Sequence, residues 1–217
     1  MKSVVPPTNT YFGLDFASPA HISGYAVLDA AGSLLDVGRA GDDAEIIALI
    51  HRSRARKIAI DCPLGLPAGF DCLDPAHPCV ATSPKGIRES ELAVRALGYG
   101  LYFTTKKTII RAMVLRGIAL RRTLEARDLH VLEVYPYATK RVLFGNPIPK
   151  KTTPVGLRWL RDHTTTLVPT LAGIERDLTH DELDAVIAAY TALLFARGEA
   201  AALGNEAEGT IIVPTPR

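Results

Sequence analysis

One segment near the carboxyl end of the chain, from about residue 179 to 203, constrains the fold more than any other. It opens with a capping box in which Thr179 is the N-cap and Glu182 is the third helical residue. The following run, residues 185–195, is apolar on every side of a helix, and such a helix is buried. It is well short of the ~20 residues that span a bilayer. The segment therefore predicts a long helix in the core of a globular protein.

Short apolar runs separated by turns predict a mixed sheet. Five strands are expected, at residues 11–17, 23–28, 33–38, 57–61 and 130–135, with a further short strand at 210–213. The first three are closely spaced, which favours an antiparallel meander, whereas the fourth follows a helix and is expected to be parallel to a neighbour. Further helices are expected at residues 42–51, 87–97, 108–127 and 155–163. We predict one α/β domain over residues 1–217, with a helical insertion at about 62–128 between strands four and five.

The charges are divided unevenly along the chain. The net charge is only +2, but residues 85–161 hold 16 Lys and Arg against 5 Asp and Glu, or +11, and the remainder carries −9. A basic segment of this kind can attract a polyanion such as nucleic acid. We predict that Lys85, Arg88, Lys106 and Lys107 contact the substrate. The alternative is that these charges form a solvated face.

Five carboxylates stand where predicted elements end or begin. Asp15, Asp61 and Glu133 lie at or near strand ends, and Asp181 and Asp184 lie three residues apart at the start of the long helix. Each could be a cap or turn carboxylate. If they converge, divalent cations would offset their repulsion, and Mg²⁺ prefers oxygen ligands. We predict two Mg²⁺ or Mn²⁺ ions bound by Asp15, Asp61, Asp181 and Asp184, with Asp15, Asp61, Glu133 and Asp184 catalytic.

The three cysteines belong to a proline-rich stretch. Cys72, His77 and Cys79, with Cys62 as a fourth ligand, could form a zinc site, but the spacing fits no standard zinc motif and favours reduced thiols. The first ten residues contain no apolar core of signal-peptide length. With an odd number of cysteines, this favours the cytoplasm and no contact with a membrane.

The motifs, in their order along the chain, resemble an uncharacterised family of predicted nucleases with an RNase H-like fold and, more remotely, the RuvC-type resolvases. The residues that carry the resemblance are Gly13-Leu-Asp-Phe-Ala, Gly24-Tyr-Ala, Ile60-Asp-Cys-Pro-Leu-Gly-Leu-Pro, Glu133-Val-Tyr-Pro-Tyr, Asp181-Glu-Leu-Asp-Ala and Glu208-Gly-Thr-Ile-Ile-Val-Pro. The resemblance implies an RNase H-like five-stranded sheet flanked by helices.

The same resemblance implies functional roles. Asp15 matches the central metal ligand of the RuvC-like arrangement, Asp61 matches the fourth-strand acid, and Asp181 and Asp184 match the acidic pair of the last helix. Glu133 matches a characteristic Glu of the predicted nucleases. The expected function is a metal-dependent nuclease. A phosphotransferase of the actin-like or sugar-kinase type and a non-catalytic binding protein that retains the fold are the alternatives.

Overall fold

The computed structural model describes residues 9–216, which form a seven-stranded mixed sheet with helices on both faces. The strands are β1 Tyr11–Asp15, β2 Ser23–Leu28, β3 Leu34–Ala40, β4 Lys57–Asp61, β5 His130–Val134, β6 Ala200–Leu203 and β7 Ile211–Pro214. The helices are α1 Asp43–Ser53, α2 Glu89–Ala96, α3 Arg111–Glu125, α4 Pro136–Phe144, α5 Pro154–Leu167 and α6 His180–Ala196. Two short 3₁₀ helices span Pro84–Gly86 and Pro169–Gly173.

The strand order is β3-β2-β1-β4-β5-β7-β6. The first three strands form the expected antiparallel meander, and β4 pairs parallel to β1. Parallel pairing continues through β5 to β7, so β1, β4, β5 and β7 all point the same way. Their carboxyl ends therefore meet at one edge of the sheet.

Alternating residues of the central strands supply two separate cores. Phe12 and Leu14 of β1 join the apolar side chains of α1 and α3 on one face of the sheet. On the other face, β1 contacts α6 at Gly13, where an added Cβ would lie 2.1 Å from the Ala185 carbonyl oxygen. Because nothing larger than glycine fits there, the buried helix lies directly on the central strand. This contact fixes the start of α6 close to the end of β1.

The α/β class is confirmed, but the sheet has seven strands instead of five. The long helix ends at Ala196, before residue 203, and Gly198 follows with a φ of +74°. The chain then reverses into β6, which pairs antiparallel with β7. β5 ends at Val134, one residue before the predicted end. Pro136 begins α4, a helix that was not predicted; proline suits the first helical position.

None of the helices within residues 9–216 is long and apolar enough to cross a membrane.

Candidate active site

The central acids lie at the carboxyl ends of two adjacent strands. Asp15 ends β1, Asp61 ends β4, and the two residues are directly opposite each other in the parallel register. Together they line a cavity of about 380 Å³. Its other ionisable lining residues include Glu133, Lys140, Lys151 and Asp184, and its apolar and aromatic wall includes Leu101, Tyr102, Ile110 and Met113.

The third acid of the cavity, Asp184, comes from the second turn of α6 and is paired with two lysines. Lys140 Nζ donates to Asp184 Oδ1 at 2.6 Å, and Lys151 Nζ donates to Asp184 Oδ2 at 2.8 Å. Asp184 and Lys140 are both buried, whereas 44% of the Lys151 side chain is exposed. Neither lysine was predicted to be a site residue. Each stands in the basic segment with no motif that distinguishes it from its neighbours.

The three aspartates differ strongly in their affinity for protons. Burial, followed by the charges of Asp61 and Asp184, raises the pKa of Asp15 well above its ordinary value. Burial and the Asp184 charge raise the pKa of Asp61 to about 7. Burial would also raise the pKa of Asp184, but Lys140 and Lys151 outweigh it and the pKa is lowered. Asp184 is therefore an anion neutralised by lysines, while Asp15 and Asp61 share a surplus of negative charge when both are ionised.

The start of α6 brings two more potential ligands to Asp15. One donor atom from each of Asp15, His180 and Asp181 lies within 4.8 Å of the others. His180 Nδ1 and Asp181 Oδ1 are 2.8 Å apart. Asp15 Oδ2 is buried and has no hydrogen-bond partner among the described residues. His180 was not predicted, although a histidine between the N-cap and two acids was a visible signal.

Glu133 is held in a buried network next to the cavity. Arg88 donates to both of its carboxylate oxygens, from Nη1 at 2.8 Å and from Nη2 at 2.6 Å, and the Leu64 backbone N–H donates at 2.7 Å. Arg88 Nε also donates to Glu91 at 3.0 Å. Because these contacts tie β5 to the loop after β4 and to α2, Glu133 is placed to fix the backbone that follows Asp61.

A family model described as "Protein of unknown function (DUF429)" matches residues 13–209, which is most of the chain. The chain belongs to the DUF429 family. No curated protein matches it. A structure of RuvC from Thermus thermophilus is 12% identical to it, covers 87% of this chain and 96% of that one, and has a TM-score of 0.47. T. thermophilus RuvC in complex with a Holliday junction substrate is also 12% identical, with 88% and 96% covered and a TM-score of 0.50.

These findings confirm the expected family and the RNase H-like class of fold for this DUF429 chain. At 12% identity, the likeness to RuvC concerns the fold. The DUF429 chain itself places Asp15 and Asp61 opposite each other on adjacent strands. The group of potential ligands within 4.8 Å of one another consists of Asp15, His180 and Asp181, and it includes neither Asp61 nor Asp184.

The four basic residues predicted to contact substrate differ in exposure and in hydrogen-bond partners. Lys85 and Lys107 are exposed. Lys106 donates to the carbonyl oxygens of His77 and Cys79. Arg88 is fully buried, with its guanidinium engaged by two glutamates. Arg88 also lines the cavity, and a contact between its guanidinium and a phosphate would require one of these pairs to break.

Proposed function

We propose that this chain is a divalent-metal-dependent hydrolase that cleaves nucleic-acid phosphodiester bonds in the cavity between Asp15 and Asp61. The observation that carries the proposal is the Asp15 carboxylate. Asp15 is half-buried and opposite Asp61, and its Oδ2 is buried with no hydrogen-bond partner among residues 9–216. A buried carboxylate oxygen without a partner is costly, and a bound cation would remove that cost.

The donor atoms favour Mg²⁺ or Mn²⁺. Apart from the His180 imidazole, the candidate ligands are carboxylate oxygens, which suit hard divalent cations. We propose that Asp15, Asp61, Asp181 and His180 would hold two ions. Asp184 would balance charge instead of binding an ion, because both of its oxygens already accept hydrogen bonds from lysines. Such ions lower the pKa of a bound water and neutralise charge on a phosphate group.

Other side chains of the cavity would bind the phosphate, balance the charge of Asp184 and position the backbone around the metal ligands. In the metal-free protein Asp61, with a pKa of about 7, is partly protonated near neutral pH, so metal binding would release that proton. Lys151 is partly exposed at the cavity and can meet a phosphate oxygen, whereas the buried Lys140 keeps Asp184 ionised. We assign Glu133 a positioning role, because both of its oxygens are already bonded.

Nucleic acid is the proposed substrate for two reasons. Residues 85–161 carry a charge of +11, and their exposed members include Lys85 and Lys107. The RuvC structure with a TM-score of 0.50 holds a Holliday junction substrate, which shows that a related fold accommodates DNA. The free thiols suit a reducing compartment, and we place the protein in the cytoplasm.

The test is a cleavage assay on the purified full chain with Mg²⁺ or Mn²⁺. Single-stranded and duplex DNA, a four-way junction, single-stranded RNA and an RNA–DNA hybrid form the substrate panel, and EDTA supplies the metal-free control. We expect cleavage of at least one polymer by the wild type and none by Asp15→Asn. Asp162→Asn, an exposed substitution on α5, is the matched control and should cleave normally. Phosphate release from ATP without polymer cleavage would instead support the phosphotransferase, and binding without either reaction would support a non-catalytic protein.

A further inference from the structure

A second group of potential metal ligands lies outside the carboxylate cavity, in the loop that follows β4. Asp71, Cys72, His77 and Cys79 each offer one donor atom, and these four atoms all lie within 4.8 Å of one another. Both cysteines are free thiols and partly buried. The group combines thiolate, imidazole and carboxylate donors, which is the set of donors that zinc binds in proteins.

Two of the six distances between donor atoms in the group are close to the edges of a zinc tetrahedron. Zn–S bonds of about 2.3 Å place two coordinated sulfurs about 3.8 Å apart, and Zn–N and Zn–O bonds of about 2.0–2.1 Å place nitrogen and oxygen about 3.3 Å apart. Cys72 Sγ and Cys79 Sγ are 4.0 Å apart. His77 Nδ1 and Asp71 Oδ1 are 3.3 Å apart. His77 Nδ1 also accepts a hydrogen bond from the Cys79 backbone N–H at 3.3 Å, and zinc bound at that nitrogen would displace this hydrogen bond.

We propose a structural zinc site with four protein ligands, Asp71, Cys72, His77 and Cys79. With all four positions filled by protein, no position remains for water or substrate, so the site is structural and not catalytic. The composition selects zinc over Mg²⁺ or Ca²⁺, because thiolates are soft ligands and those cations prefer oxygen.

Lys106 holds two of the proposed ligand residues in place through hydrogen bonds. Its ammonium group donates to the backbone carbonyls of two of the ligand residues, His77 and Cys79, and lies 5.3 Å from the centre of the Phe70 ring. Two thiolates, one carboxylate and Zn²⁺ sum to a charge of −1, which the Lys106 cation balances. The lysine thus orders the ligand loop and neutralises the complex.

The site would connect this loop to the cavity wall. Lys106 belongs to the segment before α3, which also contributes Leu101, Tyr102 and Ile110 to the cavity. Holding the loop through Lys106 would keep that segment in place without touching Asp15 or Asp61. Cys62 does not join the site; it is buried, and its thiol donates to the Pro63 and Met113 carbonyl oxygens.

The experiment measures zinc in the full chain under reducing conditions. Metal-free protein is titrated with Zn²⁺ against a chromophoric chelator and, separately, with Co²⁺, whose absorption reports thiolate coordination. We expect one tightly bound zinc per chain and a sulfur-to-cobalt charge-transfer band. Cys72→Ser and Cys79→Ser should lose both, and Cys62→Ser, which changes the third cysteine, should keep both.

Two further readouts keep the test decisive. Asp15→Asn should retain the zinc, which separates this site from the proposed carboxylate centre. If a cysteine variant fails to fold, the cobalt spectrum of the wild type still decides, because a spectrum without the charge-transfer band excludes thiolate ligation. Absence of tight zinc, zinc retained by folded Cys72→Ser and Cys79→Ser proteins, or a Cys72–Cys79 disulfide that persists under reductant would each overturn the proposal.

Discussion

Asp15 and Asp61 are directly opposed on two parallel strands, and each is the last residue of its strand. Parallel pairing places both carboxylates at the same edge of the sheet, while the glycine contact between β1 and α6 brings the first turns of the helix to that edge. The result is a surplus of negative charge that lysines only partly neutralise. This imbalance is the physical basis of the predictions below.

Asp15→Asn should abolish metal-dependent cleavage and leave the fold intact. We expect a loss on the order of 100-fold or more, because even outer partners of metal ligands typically contribute 10–100-fold. In EDTA the variant should be more stable than the wild type, because a buried charge near Asp61 and Asp184 is removed. Each kcal/mol gained would raise Tm by roughly 2–4 °C in a chain of this size. Undiminished cleavage by a folded Asp15→Asn protein would show that the proposed centre is wrong.

Metal affinity should rise as the pH passes through about 7, because the ion competes with protons on Asp61 and on Asp15, whose pKa values are both raised. Asp61 has a pKa of about 7, and the metal competes with its proton below that pH. Calorimetric titration with Mn²⁺ between pH 5.5 and 8.5 measures this dependence. A flat affinity across pH 7 would contradict the assignment of Asp61 as a ligand.

The raised pKa of Asp61 has the opposite consequence for the metal-free protein: its stability should fall, not rise, with pH. The folded state keeps a proton on Asp61 that the unfolded state loses above its ordinary pKa of 3.8, so stability should fall as pH rises from about 4 to 7. Asp61→Asn removes this contribution, so its Tm advantage over the wild type should grow across that range and then remain constant. Thermal unfolding in EDTA at several pH values measures it, and an advantage independent of pH would contradict the raised pKa.

Lys140→Met should destabilise the metal-free protein, because it removes a buried cation from Asp184. Loss of one partner of a buried pair costs up to about 3–5 kcal/mol, and Lys151 will offset part of that. Added Mn²⁺ should raise the Tm of Lys140→Met more than that of the wild type, since the ion supplies the missing positive charge. Lys150→Met, an exposed substitution next to Lys151, should behave like the wild type in both conditions.

Arg88→Met should destabilise the protein by about 3–5 kcal/mol, because it leaves Glu133 and Glu91 without their buried cation. Denaturant unfolding measures the effect, and Arg95→Met, exposed on the α2 helix that follows Arg88, should change stability little. If Arg88→Met is stable and its affinity for nucleic acid depends less on salt, the result would instead support the predicted contact between Arg88 and the substrate.

Local sequence determined six of the seven strands, the start of α6 and the acids at the strand ends, but it missed α4 and β6. The alternation of Phe12, Gly13 and Leu14 separates the two faces of β1, and the capping box fixes where α6 begins. These features depend on neighbours within a few residues, so they can be identified without the tertiary structure. The end of α6 was misplaced because the pairing of β6 with β7 competes with helical propensity over residues 200–203.

The tertiary structure alone decided the electrostatic partners. Lys140 and Lys151 lie 44 and 33 residues from Asp184, and Arg88 lies 45 residues from Glu133. Nothing in the local sequence distinguishes these cations from the other residues of the basic segment, because their partner acids become buried beside them only in the folded state. Because the energy of a charge pair depends on distance and burial, and the sequence specifies neither for residues so far apart, which charges become structural is settled only by the packing of the fold.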